Sequence, residues 1–251
     1  DQTFQCLNKN AHGGENVETA LRDSCNIFFY NCAKRLGITK MNEYASAFGL
    51  GQKTGVEIAE SAGILAGPEE REAAGGVWQS GDTIQAGIGQ SDNLFTPLQL
   101  SNYCATVANG GTRYQLHLVQ SLIDNSSGTV TETQPKIEES LDLHKSTLTA
   151  VKSGMRLVAT QGAPSLIFNQ LRTEVAAKTG TSQVIVNGVK KNNGFLITFA
   201  PYDNPEISVA SVVELAGSGT STAEITSSII KYWYQNNTDE KTNQKTGALL
   251  N

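Results

Sequence analysis

The residues best suited to chemistry are three copies of the triplet Lys-Thr-Gly, which begin at Lys53, Lys178 and Lys245. Lys245 lies in a polar C-terminal segment, where no rigid element would hold it to the tolerance that catalysis requires. Lys53 lies in a glycine-rich connection, in which Gly55 is suited to a turn. Lys178 lies inside a predicted strand, and Gly180 lets another backbone approach that strand closely. Only the copy at Lys178 lies in an element that is both rigid and open to the approach of a ligand.

The side chains around Lys178 suit a ligand that ends in a carboxylate. A strand with an exposed edge can bind an extended peptide through its main-chain donors and acceptors. Lys178 would add a fixed positive charge, and Thr179 and Thr181 would add hydroxyls that can donate to a carboxylate. A single triplet recurs by chance in many proteins, so this interpretation requires a second motif.

Two Ser-x-Asn motifs are candidates for that second motif. Ser24-Cys25-Asn26 heads a predicted helix, whereas Ser91-Asp92-Asn93 lies in a predicted loop before the next helix cap. Serine can pass protons and asparagine can hold an amide, provided that both face the Lys-Thr-Gly strand across a cleft. A helix junction packed in the core holds such a pair more precisely than a loop does. We therefore predict that Ser24 and Asn26 form the catalytic group with Lys178.

Helices are the first elements that must position these side chains. Asn16 can cap one helix, and a second follows Ser24 and ends at Gly37, where glycine supplies a stop. Thr96 is a good cap with a proline at the next position, which predicts a third helix. A fourth is predicted over residues 146–159, where apolar residues share one face.

Strands follow in the last third of the chain. From Arg172 the hydrophobic period changes to two, and turns at Asn187-Gly188 and 203–205 divide this stretch into three antiparallel strands. The closing helix would place these apolar side chains on the sheet: Ile225, Ile229, Ile230 and Trp233. The predicted fold class is α+β, with an antiparallel sheet flanked by helices and a helical lobe, as one domain over residues 1–235. Residues 236–251 are predicted to form a mobile polar tail.

Length, composition and charge exclude several function classes. The 251 residues carry a formal net charge of −5, and their basic residues are scattered, so nucleic acid is an unsuitable partner. No apolar run reaches the roughly 18 residues of a membrane span, which predicts a soluble chain. Residues 49–93 are rich in Gly, Ala, Ser and Glu without steady periodicity, which is typical of irregular loops that wall a cleft.

The cysteines and histidines do not form a recognisable metal motif. The chain has four cysteines without a Cys-x-x-Cys pair, and three histidines far apart in sequence. A metal site and a cofactor are therefore not predicted. Four cysteines in so long a chain favour free thiols over a disulfide framework.

Six stretches occur in an order that identifies a family. They are DSCNIFFYNCAKRLGI, FGLGQKTGVEI, GGVWQSGDTIQAGIGQ, TPLQLSNYCATVANGG, AAKTGTSQ and NGFLITFAP. Over about residues 12–233 the chain resembles the transpeptidase domain of class B penicillin-binding proteins, and this ordered set is far more specific than one triplet. The resemblance implies a fold like that of serine β-lactamases and D,D-peptidases, incomplete at the N-terminus. It also implies that Ser91-Asp92-Asn93 matches a catalytic motif by coincidence.

The resemblance implies an activity in the synthesis of the cell wall. Enzymes of this family cross-link peptidoglycan by attacking the D-Ala-D-Ala end of a stem peptide with a serine, releasing D-alanine and passing the acyl group to an amine. Penicillins imitate that dipeptide and trap the serine. The implied partners are therefore stem peptides, β-lactam antibiotics and a glycosyltransferase of the same machinery.

The same resemblance implies a role for each matching position. Ser24 would relay protons to the leaving group, Asn26 would bind the substrate amide, and Lys178 would support both the proton network and the substrate carboxylate. The backbone N–H of Thr181 would supply half of the oxyanion hole. The implied substrate-binding positions are Thr179, Gly180, Thr181 and Gln183.

One departure from the family pattern concerns the nucleophile. The family's nucleophile and base form Ser-x-x-Lys upstream of Ser-x-Asn, and this chain has that tetrad only at Ser228–Lys231, in the closing helix. Without a correctly placed serine no acyl-enzyme can form, so the chain alone is expected to be inert. We expect it to be the C-terminal part of a longer enzyme, with the nucleophile and a membrane anchor upstream, that works on the extracytoplasmic face of the cell membrane.

Two alternatives remain at this stage. The absent tetrad favours a non-catalytic relative, either a β-lactam sensor or a peptidoglycan-binding domain. A serine β-lactamase shares the motif set but adds a base for deacylation, and no matching glutamate can be placed between Ser24 and Lys178.

Overall fold

The computed structural model describes residues 3–6 and 12–247, with side chains up to residue 237. The helices in this part are α1 (Val17–Arg22), α2 (Asn26–Leu36), α3 (Ile38–Ala47), α4 (Pro68–Ala73), α5 (Ser80–Ala86), α6 (Pro97–Ala108), α7 (Lys145–Gln161), α8 (Ser165–Phe168) and α9 (Ala223–Gly247). The caps predicted at Asn16 and Thr96 are confirmed, since each side chain accepts from a backbone N–H of its helix. No helix of the described residues is long and apolar enough to cross a bilayer.

The central sheet consists of three antiparallel strands in the order β5 (Ala176–Val186), β6 (Val189–Ala200) and β7 (Ile207–Val213). Asn187 and Gly188 form the β5–β6 turn with φ of 52° and 75°, as a tight hairpin requires. The three predicted strands are therefore confirmed. Two small sheets pair β1 (Thr112–Tyr114) with β4 (Ile137–Ser140), and β2 (Ser121–Ile123) with β3 (Val130–Glu132).

Helices bury the sheet through two apolar clusters. One cluster joins Val158 of α7 and Ile230 of α9 to Leu196 of β6, and each of these side chains is almost completely buried. The other joins Met155 of α7 to Phe199 of β6 and to α6. The central strands are thus fixed by packing, and β5 keeps one margin that no other strand of the described part pairs with.

The closing helix differs from its prediction in two respects. Its buried stripe is formed by Ala223, Thr226 and Ile230, whereas Ile225 and Ile229 are exposed, because they lie about 100° around the helix from that stripe. The helix also continues to Gly247, beyond the predicted domain boundary at residue 235. Residues 248–251 lie outside the described residues, and the mobility predicted for 236–251 stays a prediction.

The connection over residues 49–93 contains two short helices, α4 and α5, which the absence of long periodicity concealed. Its remaining loops are anchored on α6 by Gln99, which is 1% exposed and donates through Nε2 to the carbonyls of Gln52 and Ala62. Asn93 adds a second anchor, because its Oδ1 accepts from the N–H of Ala66 at 2.9 Å. This segment is therefore held against the rest of the domain.

Candidate active site

The predicted lysine and serine meet across the fold. Nζ of Lys178 on β5 donates to Oγ of Ser24 at 2.7 Å, although 154 residues separate them. The same Nζ donates to the carbonyl of Thr179 at 2.7 Å. Two of the three predicted catalytic residues are therefore in contact, whereas Asn26 makes no side-chain hydrogen bond with them and neither Ser24 nor Asn26 lines the cleft described below. The chemical roles of all three residues stay predictions.

A tight turn between α1 and α2 presents Ser24. The N–H of Cys25 donates to the carbonyl of Ala20 at 2.9 Å, which closes the end of α1. Ser24 has a φ of 50°, in the left-handed region that serine seldom occupies. The turn leaves Ser24 exposed and Cys25 buried, and Asn26 begins α2 with its side chain half-buried. Ser24 and Asn26 thus flank a buried residue on the outside of the helix junction.

Burial changes the acidity of the lysine. It lowers the pKa of Lys178 from 10.5 to about 8, because the charged ammonium loses solvation. A lysine in this state is still mostly cationic at neutral pH and gives up a proton more readily than an exposed one. Both properties suit a group that holds a carboxylate and takes part in a proton network.

A cleft with a volume of about 700 Å³ lies beside β5, and it is also lined by Phe195 and Ile197 of β6 and by Tyr103 of α6. The predicted substrate-binding residues Thr179, Gly180, Thr181 and Gln183 all line it. Its opposite wall is formed by α3 and by the loop between α5 and α6, which is part of the segment predicted to wall a cleft. The cleft is large enough to take the end of a peptide.

Gly180 is also covered from the side of the closing helix. A 3-10 turn over Gly219–Thr222 precedes α9, and a Cβ on Gly219 would lie 2.4 Å from the carbonyl oxygen of Gly180. Glycine at position 219 therefore lets the turn rest directly on the backbone of β5. This contact fixes the strand segment that carries the candidate site.

Gln90 is a site residue that the sequence did not single out. Its Nε2 reaches across the cleft and donates to the carbonyl of Thr181 at 3.0 Å. It ends GGVWQSGDTIQAGIGQ, one of the stretches that carry the family resemblance. The stretch alone could not indicate the contact, because the two residues are 91 positions apart.

The other Lys-Thr-Gly triplets lie elsewhere. Lys53 is exposed, and the neighbouring Thr54 is buried, where its hydroxyl donates to Glu60 at 2.8 Å. This copy therefore stabilises a loop, as predicted. Lys245 lies in α9, beyond the residues whose side chains are described.

Of the competing serine motifs, Ser91 and Asn93 line the same cleft as Lys178, whereas Ser228 and Lys231 do not. Asp92 accepts a 2.5 Å hydrogen bond from Arg71, and Asn93 anchors the loop backbone, so Ser91-Asp92-Asn93 has a structural use. Ser228 and Lys231 line a separate polar cavity between α8 and α9, and neither residue lines the cleft beside β5. This position agrees with the expectation that Ser228 and Lys231 do not form the nucleophile motif.

Within the described residues, one group of side chains could hold a metal ion. The ligand atoms of Cys6, His12 and Cys25 all lie within 4.8 Å of one another. Nearby, Oε1 of Glu15 is buried without a hydrogen-bond partner among the described residues, 4.0 Å from Nδ1 of His12. Ligand atoms in a tetrahedral zinc site lie about 3.3–3.8 Å apart, so a small contraction would suffice. The expectation of no metal site, which rested on spacing in the sequence, stays a prediction, and Cys6 Sγ and His12 Nδ1 are 3.8 Å apart in a hydrogen bond with each other.

Zinc is expected to stabilise the folded chain if these donors bind it. A ligand present at a hundredfold excess over its Kd adds about 2.7 kcal/mol to the free energy of unfolding. We expect Zn²⁺ to raise the melting temperature of the wild type, and His12→Ala and Cys25→Ser to abolish that increase. Cys32→Ser is the matched control, because Cys32 is an exposed free thiol outside the group. An equal increase in all four proteins would contradict this assignment.

The four cysteines of the chain all lie in its described part and are unpaired, as predicted. Cys25 and Cys104 are buried, Cys6 is half-buried, and Cys32 is exposed. Burial raises the pKa of Cys104 to about 12, so that thiol stays protonated and acts as a small apolar group in the core.

Comparisons with known proteins agree with this fold and this geometry. The sequence profile described as "Penicillin binding protein transpeptidase domain" matches residues 1–231. The peptidoglycan D,D-transpeptidase MrdA of Acinetobacter baumannii is 31% identical over an alignment of 251 positions, gaps included, which covers 92% of this chain and 36% of that protein. The chain therefore spans little more than a third of the length of this curated relative.

Solved structures of penicillin-binding proteins have a similar fold. Penicillin-binding protein PBP2 of Pseudomonas aeruginosa, in complex with WCK 5153, has a TM-score of 0.81 and 28% identity, covering 93% of this chain and 52% of that one. PBP2 of Helicobacter pylori, in a complex with MreC, has a TM-score of 0.78 and 25% identity, covering 91% and 42%. The predicted α+β fold is thereby confirmed.

Proposed function

Since the chain belongs to the penicillin-binding protein transpeptidase family, we propose that the whole protein is a peptidoglycan D,D-transpeptidase and that stem peptides bind in the cleft beside β5. The observation that carries this proposal is the 2.7 Å hydrogen bond from Lys178 to Ser24 at the open margin of β5. It joins a cation, a proton carrier and a free strand edge in one place. These are the groups that an acyl transfer from a carboxylate-ended peptide requires.

In this proposal the peptide end adds to β5 as a further strand. Lys178 and the hydroxyls of Thr179 and Thr181 hold the terminal carboxylate, Gly180 lets the peptide backbone approach, and Asn26 holds an amide of the substrate. Gln183 contacts the peptide at the far end of the cleft. The N–H of Thr181 stabilises the oxyanion that develops on the attacked carbonyl.

The nucleophile in this proposal is a serine outside these 251 residues. Its hydroxyl attacks the penultimate D-Ala carbonyl, the C–N bond to the last D-Ala breaks, and Ser24 passes a proton to the leaving amine. An acceptor amine then attacks the acyl-serine, a new amide forms, and the serine regains its proton. β-Lactams would occupy the same cleft and leave the serine acylated.

The surroundings of the whole protein follow from the same proposal. Stem peptides lie outside the cytoplasmic membrane, so the protein would work on the extracytoplasmic face and be held there by an anchor outside this chain. The Helicobacter pylori relative was solved with MreC, and another similar structure belongs to a peptidoglycan synthase complex. We place this protein in such a complex, with a glycosyltransferase as its partner.

The test is covalent labelling of the full-length gene product with penicillin, followed by peptide mass spectrometry. We expect one stable acyl adduct, on a serine of a Ser-x-x-Lys tetrad outside this chain. The chain alone should bind an N-acyl-D-Ala-D-Ala peptide without forming an adduct. Rapid hydrolysis of penicillin would instead identify a β-lactamase, and binding without any adduct in the full-length protein would identify a sensor.

A further inference from the structure

Thr181 offers both of its backbone groups to the cleft. In an antiparallel pair, the N–H and C=O of one residue point to the same side of the strand. The carbonyl of Thr181 accepts from Gln90 across the cleft, away from β6, so its N–H also faces the open margin. A residue added opposite Thr181 would exchange two hydrogen bonds with it.

The side chain of Gln90 already occupies one of these two positions. Its Nε2 lies 3.0 Å from the carbonyl oxygen of Thr181, within ordinary hydrogen-bond distance. The N–H of Thr181 is the donor assigned above to the oxyanion, so the peptide residue whose carbonyl is attacked must also offer its own N–H to the carbonyl of Thr181. Gln90 and the penultimate residue of the peptide therefore compete for one acceptor.

The backbone of Gln90 is fixed by hydrogen bonds in which its side chain takes no part. Its N–H donates to the carbonyl of Gln85 at 3.1 Å, and its carbonyl accepts from Nδ2 of Asn93 at 3.1 Å. Asn93 is in turn bound to the N–H of Ala66. Rotation about the side-chain bonds can therefore withdraw the amide from Thr181 without any movement of the loop.

We propose that Gln90 is a gate on the strand margin, whose amide must leave the carbonyl of Thr181 before a peptide can add to β5. This proposal rests on the proposed function, because it needs a peptide that binds there. The gate favours ligands that can replace the lost hydrogen bond with an amide N–H of their own. A ligand that has a carboxylate but no such N–H opens the gate without compensation, so Gln90 also contributes to specificity.

The test measures the affinity of the full-length gene product, with the serine of its Ser-x-x-Lys tetrad replaced by alanine so that no acyl-enzyme forms, for N,N′-diacetyl-L-Lys-D-Ala-D-Ala. Gln90→Met keeps the length of the side chain and removes its donor, and we expect it to tighten binding by about three- to tenfold, the effect of one hydrogen bond. Gln85→Met is the matched control, since within the described residues the Gln85 amide donates no hydrogen bond to β5. Unchanged or weaker binding by Gln90→Met overturns the gate.

A second ligand tests the specificity. In a matched depsipeptide, an ester oxygen replaces the N–H of the penultimate residue. The wild type should prefer the peptide over the depsipeptide, and Gln90→Met should bind the depsipeptide more tightly than the wild type does. A depsipeptide affinity that Gln90→Met leaves unchanged contradicts the competition for Thr181.

Melting temperatures distinguish a gate from a purely structural role of Gln90. Gln90→Asn keeps an amide but shortens the side chain by one methylene, so it cannot span the same distance, and it should tighten binding with little change in melting temperature. If Gln90→Met and Gln90→Asn both lowered the melting temperature strongly and bound peptide more weakly, Gln90 would have a structural role and the gate would be overturned. Absence of peptide binding in every protein, wild type included, counts against the proposed function and removes the gate with it.

Discussion

Replacing Lys178 with alanine should reduce acylation of the full-length protein by penicillin about 10²- to 10⁴-fold, the range typical of a lost proton-transfer group. The variant removes the cation that faces the ligand carboxylate and the donor that lies 2.7 Å from Ser24. The second-order rate constant for acylation measures the effect. Lys53→Ala is the matched control, because it changes the same triplet in an exposed loop.

The role of Lys178 can also be tested through the pH dependence of the free energy of unfolding and of the peptide affinity. Burial lowers the pKa of Lys178 to about 8, below its unfolded value of 10.5. Between these two values the unfolded chain binds more protons than the folded chain, so the free energy of unfolding should rise with pH over this window. Lys178→Ala should remove that rise. Binding of a carboxylate needs the protonated lysine, so peptide affinity of the wild type should fall as the pH passes about 8.

A wild-type acylation rate in Lys178→Ala would contradict the assignment of the cleft. The same conclusion would follow if Lys53→Ala lost activity to a similar extent. Melting temperatures of both variants at neutral pH separate a catalytic defect from a folding defect. Because the ammonium is poorly solvated in the folded state, its removal should leave the melting temperature at neutral pH close to that of the wild type.

Replacing Gly219 with alanine should destabilise the fold by about 3 kcal/mol or more, which lowers the melting temperature by roughly 6–12 °C in a domain of this size. The added Cβ would lie 2.3 Å from the carbonyl oxygen of Phe195 and 2.4 Å from that of Gly180. Both atoms belong to the backbone of the central sheet, so neither can move aside cheaply. Thermal unfolding measures the loss.

Gly14→Ala is the control for this prediction, since a Cβ at that position meets no atom within 4 Å and needs no positive φ. It should change the melting temperature by little. The turn at Gly219 rests on Gly180, so any Gly219→Ala protein that still folds should also acylate more slowly. If Gly219→Ala had the melting temperature of the wild type, the turn would not be in close contact with the backbone of β5.

The regular parts of this fold were predictable because local chemistry specifies them. Thr96 and Asn16 indicate where their helices begin, because their side-chain oxygens are well suited to accept from the first backbone N–H groups of a helix. Asn187-Gly188 indicates a hairpin, because both residues tolerate a positive φ. Lys178 was chosen over two identical triplets because rigidity and access can be read from strand pattern and composition. Ser24 was chosen over Ser91 because a helix junction is stiffer than a loop.

The remaining features depend on contacts that no local pattern encodes. α4 and α5 are too short for a hydrophobic period to be recognised. The contact from Gln90 to Thr181 depends on a loop conformation that Asn93 fixes, and the group of Cys6, His12 and Cys25 depends on a left-handed turn beside it. The exposed position of Ile225 reflects which face of α9 packs on the sheet.

The margin of β5 has an evolutionary consequence. In the proposed binding mode, recognition at this margin uses the N–H and C=O of the main chain at Thr181, and every amino acid except proline supplies both atoms. Point mutation to any residue other than proline leaves both atoms in place, so an inhibitor that binds chiefly to this margin leaves few routes of escape along the strand itself. Escape should arise at side chains of the surrounding walls, whose replacement can narrow the entry to the strand without disturbing the strand's own hydrogen bonds, whereas loss of the Gln90 amide should make such an inhibitor bind more tightly.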